Sequence, residues 1–139
     1  DPSFFSAVKI AALSGIDVRI MVPGEWDKFY VKAAAFQFIR DMIPLGITFY
    51  KYPGFIHAKA IVVDGKVLTI GSCNIDCRSF ELHYETNVFF YNEAFAKKYE
   101  KIFLADQSKC RQYEAQWFES RNIFQKAWWG FCRLFSPIM

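Results

Sequence analysis

An α/β fold, a mixed β-sheet flanked by helices, is what this chain predicts, and three observations carry that prediction. Apolar residues recur at helical spacing in three stretches, and short β-branched runs lie between them. An Asp-Gly pair separates two apolar runs near the middle, a strong hairpin signal. A chain of 139 residues that is 53% hydrophobic and 22% charged is also long and apolar enough to build one core. That balance excludes a disordered chain, and seven Gly with five Pro exclude collagen-like or low-complexity readings.

The elements follow in order. Asp1-Pro2-Ser3 reads as a helix start, with Asp as the cap and Pro as the first helical residue, before Phe4, Phe5, Val8, Ala11 and Ala12; Gly15 ends it. Asp17 to Val22 is a short strand closed by Pro23-Gly24. From Trp26 to about Met42 the helical pattern returns, with Phe29, Ala33, Phe36 and Ile39 on one face, until Ile43-Pro44-Leu45-Gly46 breaks it. Strands are expected over residues 47–50, 56–63, 67–72 and 84–91, then a helix from Glu93 to about Ala105. A domain of this kind rarely opens on a helix without a strand before it. The chain therefore reads as a piece of a longer polypeptide, with its first strand upstream of Asp1.

Residues 106–139 differ in character. Five basic residues (Lys109, Arg111, Arg121, Lys126, Arg133) stand against three acids, interleaved with Tyr113, Trp117, Phe118, Phe124, Trp128, Trp129, Phe131 and Phe135. They are expected to form a helical extension beyond a domain spanning 1–105. Trp117, Trp128 and Trp129 are candidate membrane contacts, because Trp beside Arg and Lys suits the headgroup boundary; packed helix faces explain the same pattern equally well. No apolar run approaches the roughly 20 residues of a membrane span. The net charge of +3 does not by itself argue for nucleic acid. Four irregularly spaced cysteines do not suggest a disulfide framework. Cys73, Cys77 and His83 have non-standard spacing for zinc and read as packing residues.

The chemistry concentrates in the hairpin. His57 and Lys59 lie two apart in a predicted strand, so both side chains leave the same face. Ser72 and Asn74 are two apart at the end of the paired strand. Pairing brings an imidazole, an ammonium, a hydroxyl and a carboxamide to one end of one sheet face, and Glu85 on the next strand reaches the same neighbourhood. These groups do not form a metal set and imply no cofactor. They suit an anion site: Lys59 and Asn74 can hold phosphate oxygens, Ser72 can donate to one, and His57 can attack phosphorus or move a proton. Asp64 sits in the Asp-Gly turn, where anchoring the hairpin is the favoured role and phosphate support the lesser one.

His57-Ala-Lys59, four residues, Asp64, then six residues to Gly71-Ser72-Cys73-Asn74 resembles the HxKxxxxD…GSxN signature of the phospholipase D superfamily. The words Asn74-Ile-Asp76-Cys-Arg78-Ser79-Phe80-Glu81-Leu82 and Tyr84-Glu85-Thr-Asn87, with the ending Phe135-Ser136-Pro137-Ile138-Met139, look like its bacterial cardiolipin synthase branch. The resemblance covers essentially the whole chain, as the C-terminal half of such a synthase. It implies a phospholipase D-like half-domain and transfer of a phosphatidyl group from one phosphatidylglycerol to another through a phosphohistidine, giving cardiolipin and glycerol at the bacterial cytoplasmic membrane. It also implies a second motif, from a missing N-terminal half or a second copy, to complete the site. By that analogy His57 is the acid/base partner and Glu85 the acid that serves a catalytic histidine. Arg78 has open readings: steering lipid headgroups, or tying Glu81 or Glu85 in place.

Two rivals remain in view. A homodimeric phosphodiesterase of the same superfamily, acting on phospholipid or nucleic acid, would use water as acceptor. A non-catalytic membrane-surface module would bind vesicles regardless of His57.

Overall fold

The computed structural model describes residues 1–138. Helix α1 (Pro2–Leu13) starts as its sequence predicts, with the Asp1 carboxylate accepting from Phe4 N at 2.8 Å and Pro2 in the first turn. Strand β1 (Arg19–Val22) leads to α2 (Phe29–Met42), whose inward face is Ala33, Phe36 and Ile39 with Ala34 and Met42 beside them. A short 3-10 turn, Ile43–Leu45, ends in the left-handed Gly46 and delivers β2 (Thr48–Lys51) parallel to β1. Strands β3 (Lys59–Val63) and β4 (Val67–Gly71) form the predicted hairpin. Three residues connect them, and both Asp64 (φ 50°) and Gly65 (φ 60°), the central residues of the Val63–Lys66 turn, are left-handed, which matches strand twist.

A five-residue helix, α3 (Cys77–Glu81), precedes β5 (Asn87–Phe90), and α4 (Glu93–Gln107) is capped by Asn92. The remainder is a two-residue strand β6 (Arg111–Gln112), α5 (Ala115–Glu119), α6 (Ile123–Leu134) and a 3-10 turn over Ser136–Ile138.

The α/β class is as expected, but the strands make two three-stranded sheets. One is mixed, in the order β1-β2-β6, and the other is antiparallel, in the order β3-β4-β5. The strands are also shorter than the apolar runs. The run from Ile56 pairs only from Lys59, and that from Tyr84 only from Asn87. Neither α3 nor β6 was visible beforehand. Each is too short for periodicity, and β6 exists only through its pairing with β2.

The main core gathers around Phe36. Tyr113, Trp117, Phe118 and Trp129 approach its ring nearly edge-on, with centroids 5.4–5.9 Å away. Such geometry sets the positive ring edge against the negative face, and each pair adds about 0.5–1.5 kcal/mol beyond area burial. The stretch after residue 105, expected to be an extension, thus shares one core with α2 and β2. Burial pushes the Tyr113 phenol up to about 12. In the second sheet Leu68 is buried and α4 lies across β3 and β4, presenting the buried Ala96. Ile61 and Phe89, which share one face of that sheet through Thr69, remain exposed.

Candidate active site

The register of the second sheet brings the candidate residues to one end. Lys59 lies opposite Gly71, and Gly71 opposite Asn87, so Ser72 and the residues before Asn87 leave the sheet together. Gly71 makes that closeness possible. A Cβ there would overlap Asn87 Oδ1 and the Thr86 carbonyl oxygen, and would lie 2.6 Å from Asn87 Cα. With no side chain in the way, Ser72 N donates to the Thr86 carbonyl at 3.0 Å, and Thr86 N donates to Ser72 Oγ at 3.0 Å. The glycine before Ser72 therefore serves to press the hydroxyl against the Glu85-Thr86 segment.

Glu85 is the best-held side chain of the cluster. Ser72 Oγ donates to Oε2, and Ser79 Oγ donates to Oε1 at 2.8 Å. Those two hydroxyls, Ser72 first, hold the Glu85 carboxyl below the usual carboxylate range; His83 and Lys59 nearby add to the effect, against some desolvation. Its side chain is 17% exposed. Ser79 is itself buried at 5%, fixed in the first turn of α3 because its N–H donates to the capping Asp76 at 2.7 Å. Arg78 donates to His83 Nε2 at 3.1 Å. Since a guanidinium only donates, Nε2 accepts and Nδ1 carries the proton, facing Glu85 Oε1 at 3.9 Å. Arg78 thus reaches Glu85 through His83, a route that neither of its sequence readings named.

His57 stands apart from this network. It precedes β3, is exposed, and stacks on Phe55 with ring centroids 5.7 Å apart and planes 17° from parallel. Among the described residues its ring makes no hydrogen bond, and the Glu85 carboxylate is held by Ser72 and Ser79. Lys59 Nζ donates to the His57 carbonyl oxygen at 2.9 Å, which joins the two residues through backbone. Asn74 is exposed just past β4, its carbonyl accepting from Cys73 Sγ at 3.4 Å.

Asp64 does not join the group. It lies at the turn, while Lys59 and Gly71 are at the far end of the same hairpin, roughly 15 Å away at the usual rise per strand residue. Its place is the structural one, closing the turn in which Lys66 N donates to the Val63 carbonyl at 2.9 Å. The three tryptophans also separate. Trp129 is 7% exposed and belongs to the core, which corrects its reading as a membrane contact. Trp117, 36% exposed, stacks parallel to Trp129 and carries the Arg121 guanidinium over its ring. Trp128, 44% exposed, lies between Phe29 and Phe131. No helix among the described residues is long and apolar enough to cross a membrane.

The residue that sequence reasoning missed is Ser79. Asp76 three residues before it is a capping signal, and that spacing alone could have placed its backbone, though not its hydroxyl.

An α/β domain of the phospholipase D type fits this arrangement, and a solved structure agrees at the level of fold. Nuc from Salmonella typhimurium, a phospholipase D family member, superposes with a TM-score of 0.69 at 23% identity, covering 81% of this chain and 74% of Nuc. Residues 1–107 match the family described as "Cardiolipin synthase, PLD-like domain", and the chain belongs to that family. It is 39% identical over its whole length to the cardiolipin synthases of Clostridium perfringens and Listeria monocytogenes, and it spans 29% of the length of each.

Proposed function

We propose that this chain supplies half of the active site of a phosphatidyltransferase that makes cardiolipin from two phosphatidylglycerols at the bacterial cytoplasmic membrane. The observation that carries the reading is the convergence of Lys59, Ser72 and Glu85 at one end of β3, β4 and β5, within a chain of the cardiolipin synthase family.

A phosphodiester anion resists nucleophiles because of its charge. Lys59 and Asn74, with their counterparts from a second motif, would offset the charge growing on the phosphorus oxygens. A histidine of that second motif attacks phosphorus, the phosphorus–oxygen bond to glycerol breaks, and His57 gives its proton to the departing oxygen. In the return step His57 takes the proton of a hydroxyl on the second phosphatidylglycerol. That oxygen attacks the phosphohistidine, and cardiolipin leaves with both histidines restored. The second motif comes from an N-terminal half or from another copy of this chain.

The test is mass spectrometry of lipid products from phosphatidylglycerol in mixed micelles. This chain would be assayed alone and with the companion half of a relative, each beside His57→Ala. Cardiolipin made by the parent, and reduced by a factor on the order of 10²–10⁴ in the variant, is the expected result. Phosphatidic acid in its place would make the chain part of a hydrolase. Vesicle binding unchanged by His57→Ala, with no turnover in either assembly, would reduce it to a membrane-surface module.

A further inference from the structure

We infer that the open pocket between α2, the β2–β6 ladder and α5 is a second anion site, built for a phosphate carried on a small organic group. Its volume is about 330 Å³, at the small end of the range for small-molecule pockets. Lys51 and Arg111 line it from directly opposite positions in the antiparallel ladder. Like charges placed so repel, and they are normally avoided or neutralised. Lys32 enters from α2, its Nζ 5.7 Å from the Phe36 ring centre.

None of these three cations takes part in an ion pair among the described residues, although Arg19, Lys97, Lys109 and Arg133 all do. One carboxylate, Glu114, lines the pocket, and it lies beyond ion-pair reach of all three. A solvated surface would scatter its cations to lower their repulsion. Here a strand register, which is hard to shift, holds two of them together and a helix adds the third.

The floor is aromatic: Trp117 is packed against Trp129 and Arg121, and Tyr113 is buried. Arg111 presents a planar donor fork suited to two phosphate oxygens, while the lysines act as point charges. Gly24 leaves room for the Lys51 stem: a Cβ there would overlap the Tyr52 carbonyl oxygen and sit 3.2 Å from Lys51 Cε. The Trp117 indole beside the cations favours a phosphate that brings carbon with it. This site stands on its own residues and does not depend on the reaction proposed above.

The test is an amide and indole NMR titration of this chain with sn-glycerol 3-phosphate, against sodium chloride at matched ionic strength. Sedimentation with phosphatidylglycerol and phosphatidylcholine vesicles runs in parallel. Saturable shifts at Lys51, Arg111 and the Trp117 indole are expected, with affinity about tenfold lower in Arg111→Gln or Lys51→Gln and unchanged in Lys101→Gln on the exposed side of α4. Binding to phosphatidylglycerol vesicles alone, lost in the same two variants, would assign the phosphate to a lipid headgroup. Ligand-free Arg111→Gln and Lys51→Gln should each melt no lower than the parent, because a repulsion is removed. The proposal is overturned by shifts that sodium chloride reproduces, by shifts confined to Ser72–Asn74, or by no response to either phosphate source. A fall in Tm in both Gln variants would also overturn it, by showing the cations to be structural.

Discussion

The first sheet lies under α2 and the C-terminal helices and shares the aromatic core with them. The second carries His57, Lys59, Ser72 and Glu85, yet of its own strands only Leu68 is deeply buried, with Ala96 of α4 and Ser79 of α3 beside it. Stability scales with apolar area removed from water, and aromatic rings remove the most per residue. Local opening is easiest where few apolar contacts hold the backbone. The candidate site therefore rides on the less anchored sheet, and its order depends on a few polar contacts and on one glycine. For the phosphodiester site proposed above, a stable platform beside a lightly held hairpin is a workable division.

The sharpest way to break this comparison is to remove one ring from the core over the first sheet and one from the second sheet. Phe36→Ala should cost about 3–5 kcal/mol in urea unfolding, since it removes the centre of the edge-to-face cluster. Phe89→Ala, at 57% exposure, should change stability by about 0.5 kcal/mol or less. Equal losses would mean that the exposed face of the second sheet is as much a core as the first. Next in size is Gly71→Ala, expected to destabilise by about 1–3 kcal/mol as β4 and β5 move apart. Its amide spectrum should change at Ser72 and Asn87 while Phe49 stays still; a silent spectrum would remove the close approach from the account.

Hydrogen exchange compares the two regions without mutation. Amides of β3, β4 and β5 should exchange about tenfold or more faster than those of β2 and α2, and matched rates would leave no difference to explain.

The smallest effect concerns Glu85. Its carboxyl lies below the usual range in the folded chain, so its stabilising contribution is complete above the unfolded value of about 4.3 and is lost as pH falls through the lower folded value. Carbon NMR of the Glu85 carboxyl should find its midpoint moved up toward the ordinary range in Ser79→Ala and retained in Ser79→Thr. The acid-side loss of stability should shrink in Glu85→Gln. An unmoved midpoint in Ser79→Ala would leave Ser72 alone as the cause.

Much of the second sheet was legible because its signals are local. Asp64-Gly65 specifies a turn between two apolar runs, and the turn brings Lys59 and Ser72 to the far end of the hairpin. The grouping of Lys59 with Ser72 and the nearness of Glu85 follow from that spacing, while the register that sets Lys59 opposite Gly71 depends on a three-residue connection that the Asp-Gly pair does not specify. The partners of Glu85 did not follow. Ser79 was readable as part of a motif, but whether its hydroxyl reaches a carboxylate six residues away depends on how a five-residue helix folds back. The same limit applies to the tryptophans. Trp128 and Trp129 are neighbours with one composition and one charge context, and only helix phase against α2 makes one exposed and the other buried.

By itself the sequence determined the α/β class, the helix starts at Asp1 and Glu93, the hairpin, and the phospholipase D-type motif, because each rests on backbone preferences or spacings within a few residues. Tertiary structure alone decided that the strands fall into two sheets and that the tail shares the core of α2. It also decided that Ser72 and Ser79 hold the Glu85 carboxylate, and that Lys51 meets Arg111. Those outcomes depend on contacts between residues distant in the chain, where packing and burial override local preference.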